Sequence, residues 1–136
     1  MNTKFKNLNP NAKEFTSLGI YTKAINFTER VTTNLKLISK IGQHSIGEKI
    51  YNGLCDFIVL FNRAYREDRN IKKYEYALKM RDAFCDLKTL LKFCSDIKEN
   101  IQYEKYIVCI GDIERQMNGW INSLENKINK EVENNI

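Results

Sequence analysis

Between positions 63 and 81 the chain gathers seven basic side chains: Arg63, Arg66, Arg69, Lys72, Lys73, Lys79 and Arg81. Three acidic ones, Glu67, Asp68 and Glu75, stand among them, so the window carries +4 of the formal net charge of +5. Four of the six arginines fall here, in a chain that otherwise prefers lysine. A guanidinium is always charged and binds phosphate in a two-pronged fashion. The chemistry this spacing offers is therefore electrostatic recognition of a polyanion, nucleic acid foremost. The same residues also read as a solvated loop and helix start.

Other reactive side chains form no comparable group. Asp82 and Asp86 stand one helical turn apart, a spacing that can hold magnesium or do acid–base work but most often marks a solvated helix face. The single histidine, His44, has no carboxylate or thiol beside it in sequence, and a di-iron bundle would need two Glu-x-x-His motifs. Cys55, Cys85, Cys94 and Cys109 lack any Cys-x-x-Cys spacing and lie in apolar stretches, which reads as reduced core thiols. The six glycines make neither GxGxxG nor GxxxxGK. The sequence thus assigns no catalytic residue, no metal ligand and no cofactor.

The elements that must carry these residues are helical. Ile20, Ala24, Phe27, Val31, Leu35, Ile38 and Ile41 recur every three or four positions, as one face of a first helix requires. Gly42 then stands as a C-terminal cap, and Ser45 with Glu48 fits a capping box opening a second helix. That helix spans 46–67, with Ile50, Leu54, Phe57, Ile58, Phe61 and Ala64 inward. "REDRNIKK" reads as the connection. A third stripe follows through Tyr76, Met80, Ala83, Leu87, Leu90, Cys94 and Ile97. A fourth follows through Tyr106, Ile110, Ile113, Met117, Trp120, Leu124 and Ile128. Strand-like alternation is absent.

Four amphipathic helices with short links predict an all-α, antiparallel up-down-up-down bundle over 20–125. An N-terminal arm, 1–19, precedes it, and a polar tail, 126–136, is expected to fray. Two features exceed a lone bundle. Apolar residues widen the third and fourth stripes (Leu91, Phe93, Tyr103, Ile107, Ile121), which points to a face shared with another subunit or to a broad internal stripe. Gly119 also precedes Trp120, the only tryptophan, within the fourth helix, although interior glycine costs about 1 kcal/mol relative to alanine. With no apolar run near membrane-spanning length and no export-like leader, a cytoplasmic, non-membrane protein is expected.

The stretches "SIGEKIYNGLCDFIVLFNRAY", "LLKFCSDIKENIQYEKY" and "IGDIERQMNGWINSL" resemble the bacterial accessory variability determinant family. These are small bundles encoded beside the reverse transcriptases of diversity-generating retroelements. The resemblance covers roughly residues 20–125. It is most specific at Gly47-Glu48, at Asn62-Arg63-Ala64 and at Gly119-Trp120-Ile121. The chain departs from the family at "IGQHS", where a Phe-Pro link is usual, and at Lys92, near a usual arginine.

The resemblance implies a homopentamer without catalytic activity that binds RNA or DNA and the retroelement reverse transcriptase. Gly119, Trp120 and Ile121 would then form a subunit contact, and Lys92 would join the nucleic-acid surface. A sibling family encoded within ribosomal-RNA intervening sequences has a similar bundle. A purely structural or adaptor bundle is the further alternative. Separately, "NLNPNAKEF" (7–15) is similar to a eukaryotic peptide motif that docks on poly(A)-binding protein. Its ordinary reading is a turn capped by Asn9, begun by Pro10 and ended by Gly19.

Overall fold

The structure, a computed structural model, describes residues 17–135. The arm to residue 16, with the "NLNPNAKEF" segment, lies outside the described residues. Among the described residues every regular element is helical. Four long helices dominate: α1 (Ser17–Asn34), α2 (Ile46–Arg66), α3 (Asn70–Asp96) and α4 (Ile107–Asn134). Gly19 lies inside α1, so it does not end a preceding turn.

The first apolar stripe breaks sooner than its spacing predicts. Ile20, Ala24, Phe27 and Val31 are buried, but α1 ends at Asn34 and a 3-10 turn, Leu35–Leu37, follows. Ile38 is extended yet still buried. Ser39 then caps a one-turn helix, Lys40–Gln43, by accepting the N–H of Gly42. This corner rotates Ile41 off the stripe and leaves it 84% exposed.

The predicted caps form differently as well. Gly42 is buried within the one-turn helix rather than ending a helix, and the Ser45 hydroxyl donates back to the Ile41 carbonyl (2.9 Å). Ser45 therefore leaves the capping box with Glu48 unmade. Close approach explains Gly47, because a Cβ there would sit 3.1 Å from the Gly42 carbonyl oxygen and 3.2 Å from Ile38 Cδ1.

The α2–α3 connection shrinks to Glu67–Arg69, since α3 starts at Asn70. In α3 the buried register is Ala77, Met80, Phe84, Leu87, Leu91 and Cys94. Tyr76, Ala83 and Leu90 move to the flank as partly buried side chains, and Ile97 is exposed. Two neighbouring registers were open in a stripe this wide, and Phe84 chooses between them by packing on Phe57 (4.9 Å) and Phe27 (5.6 Å). The tail expected to fray continues α4 as helix to Asn134.

Contacts tie each long helix to its neighbours at several levels. Tyr21 of α1 meets Phe61 and Tyr65 of α2, and a Cβ on Gly53 of α2 would touch Leu87 of α3. Along α3 and α4 the partners are Asn70 with Glu131, Arg81 with Asn118, and Lys88 with Glu114. Along α1 and its neighbour, Lys23 reaches Asp112, Arg30 reaches the Lys105 carbonyl, and Asn34 reaches the Tyr106 hydroxyl. No helix among the described residues is long and apolar enough to cross a membrane.

Candidate nucleic-acid interface

The α2–α3 turn brings part of the basic window to one end of the bundle. Arg63 and Arg66, in the last turn of α2, are exposed, and their guanidinium groups have no partner among the described residues. Arg69 is exposed, but its Nε donates to Glu67 at 2.9 Å. That hydrogen bond, with the Arg69 backbone N–H, holds the Glu67 carboxyl below its usual range. Lys72 stands 3.5 Å from Glu75, with its ammonium 5.3 Å from the Tyr76 ring centre. A groove of about 480 Å³ runs between Arg69, Lys72 and Glu131.

Lys73 departs from this group. Its ammonium donates to the carbonyls of Ala64 (2.9 Å) and Tyr65 (3.1 Å), closing the C-terminal end of α2, and lies 5.8 Å over the Trp120 ring. Burial lowers its pKa, the largest cause, against the attraction of Asp68. An ammonium so engaged offers little to a phosphate, so Lys73 is corrected from a surface contact to a helix cap.

The remaining basic residues are spread along α3. Lys79 is exposed and without a partner among the described residues. Arg81 lies on the flank facing α4, 3.5 Å from Asn118 Oδ1. Lys92 is exposed. Twenty residues of helix set it roughly 30 Å beyond Lys72, so it belongs to the other end of the molecule.

Sequence reasoning passed over Lys127 and Lys130. Both are exposed on α4 and line a groove of about 410 Å³ with Gly119, Asn122, Ser123 and Asn126. Lys127 is close enough to Lys73 to lower its pKa, and Asn70 bonds Glu131, so this segment borders the α3 start. Ile128, already on the fourth stripe, was the signal that the helix carries these lysines along.

The expected subunit contact is also revised. Trp120 is 5% and Ile121 2% exposed within a single chain. Trp120 stacks on Phe61 at 5.7 Å, so the chain's own core occupies both residues. Gly119 is half-buried and borders the α4 groove.

The cysteines divide in the same way. Cys94 is buried and Cys109 partly so, with burial raising both thiol pKa values, whereas Cys55 and Cys85 are exposed rather than core. Asp82 and Asp86 are exposed on α3, and His44 is exposed beside the one-turn helix. Among the described residues no group of three or more His, Cys, Asp or Glu side chains could hold a metal.

Compared with models of protein families, with curated proteins and with solved structures, the chain matches none.

Proposed function

We propose that this protein is a non-catalytic accessory factor of a diversity-generating retroelement, binding template RNA or cDNA together with the partner reverse transcriptase. On this reading it is a cytoplasmic, antiparallel up-down-up-down bundle assembled as a homopentamer. The reversed order of partners along α3 and α4 supports the antiparallel arrangement, as does the reversal between α1 and the segment 105–112 that leads into α4. The observation that carries the functional reading is the pair Arg63 and Arg66, exposed and unpaired among the described residues beside Arg69 and Lys72. Five copies of such an end would bind a polyanion far better than one, by multivalency and release of counterions.

Light scattering with and without a structured RNA, across a salt series, tests the proposal. A particle near five times 16.0 kDa with salt-dependent RNA binding is expected, and a monomer indifferent to RNA overturns it. In the binding series, Arg63→Ala with Arg66→Ala should reduce the salt slope by about 1.4–1.8 if both touch phosphate. The engagement of Arg69, Lys72 and Lys73 within the chain favours a second reading, an adaptor bundle without nucleic acid. It predicts an unchanged mass and no RNA binding at any salt.

A further inference from the structure

Tyr76 stands among the cations of the α2–α3 end. The Lys72 ammonium, one helical turn earlier on α3, lies 5.3 Å from its ring centre. Lys79 follows one turn later, so Lys72, Tyr76 and Lys79, at i, i+4 and i+7, share one face of the helix. Seven residues of helix set the two lysines about 10 Å apart along the axis, with the ring between them. The hydrogen bond from Glu67 is the first cause that raises the Arg69 pKa, and Tyr76 is close enough to add to it. Lys73 reaches the Ala64 and Tyr65 carbonyls, which lays the first turns of α3 beside the last turn of α2 with its Arg63 and Arg66.

The acidic residues of this window are already matched. Glu67 accepts from Arg69, Glu75 lies 3.5 Å from Lys72, and Asp68 acts on Lys73. Arg63, Arg66, Lys79 and Arg81 have no carboxylate partner among the described residues, which leaves the window at +4. The Tyr76 side chain packs partly against the hydrophobic core and partly reaches solvent. Packing holds the ring in place before any ligand arrives, so binding to it carries little ordering cost. A partly exposed aromatic face between cations is the arrangement on which single strands bind, backbone on the charges and a base on the ring.

We infer that the nucleic acid taken up at this end is single-stranded, with a base stacked on Tyr76 and the backbone crossing Lys72, Lys79 and the Arg63–Arg66 turn. The inference rests on the nucleic-acid reading and narrows it. A duplex keeps its bases stacked inside, so it could use the cations but not the ring, and the major groove of an RNA duplex is closed to side chains. An acidic peptide would meet the same cations, but its carboxylates gain nothing from the ring, whose face is the negative part of its quadrupole.

Fluorescence anisotropy on the full chain tests this with three probes of equal length. These are an unstructured RNA strand, its duplex with the complementary strand, and an abasic strand that keeps the phosphates alone. The unstructured strand should bind most tightly, the abasic strand roughly 5- to 100-fold more weakly, and the duplex more weakly than the strand. Charge alone predicts the reverse for the duplex, which carries more phosphates per length. Tyr76→Leu keeps an apolar side chain on the core but removes the flat ring. It should weaken binding of the unstructured strand by a similar factor with an unchanged salt slope, whereas Tyr76→Phe should bind like the parent.

A duplex bound as tightly as the strand, an abasic strand bound equally well, or a Tyr76→Leu variant that binds like the parent would each overturn the inference and leave the nucleic-acid reading in place. No binding of any probe would overturn both. Should Tyr76→Leu fail to fold, the three probes on the unaltered chain still decide.

Discussion

At the scale of single residues, several side chains that look available in the sequence are committed inside the chain. Trp120 illustrates this, because its ring lies on Phe61 with Lys73 above it. Trp120→Ala should therefore cost about 3–5 kcal/mol of bundle stability, as removal of a large buried aromatic does. Chemical denaturation checks this. A variant that unfolds like the parent but loses assembly would return Trp120 to a subunit contact. Asp112 is a second case, accepting from Lys23, Arg115 and Gln116. The Lys23 hydrogen bond is the leading cause that lowers its pKa from 3.8. A carboxylate with a lowered folded pKa contributes stability above its unfolded value and loses it as pH falls through the folded one. Stability should thus decline below about pH 4, and Asp112→Asn should flatten that decline. Near neutral pH the substitution should cost under about 1 kcal/mol, because these groups are partly solvated. An unaltered acid limb in a pH series of melting curves would remove Asp112 from this role.

At the scale of elements, the corner between α1 and α2 shows how a local pattern yields to close packing. Ser45 and Glu48 match a capping box, yet Ser39 makes the working cap and Glu99 fastens it from α3's far end. Gly47 lies where the chain crosses its own preceding turn. Alanine is the better helix former, so propensity alone predicts that Gly47→Ala stabilises α2. Contact with the Gly42 carbonyl and Ile38 predicts the opposite, a net loss of about 1–2 kcal/mol from overpacking. Thermal unfolding decides between them, and a raised melting temperature would show that the corner relaxes freely.

At the scale of the whole molecule, charge is divided between two ends. Arg63, Arg66, Arg69 and Lys72 gather at the α2–α3 turn, while Lys92 sits roughly 30 Å away along α3. If one end engages nucleic acid, Arg63→Ala with Arg66→Ala should weaken RNA binding well beyond the effect of Lys92→Ala. Fluorescence anisotropy at a fixed low salt measures both. Equal losses would mean that the polyanion spans the bundle, which fits a longer footprint than one end supplies.

Helical class, four long elements and most core positions follow from the spacing of apolar residues alone. Ile20 to Val31, Ile50 to Ala64 and Ile110 to Leu124 repeat at the period of a helix, and burying that stripe is the dominant local demand. The net positive charge and its concentration in 63–81 were equally legible. Which register of α3 faces inward was not, because Tyr76, Ala83 and Leu90 compete with Ala77, Phe84 and Leu91 until Phe27 and Phe57 arrive from other helices. The same holds for the site. Lys73 and Arg63 look alike in sequence, but only the approach of α4 and the end of α2 turn one into a partly buried cap and leave the other in solvent. Periodicity is encoded in neighbours along the chain, whereas availability depends on what comes near in space, and that is settled only when the helices pack.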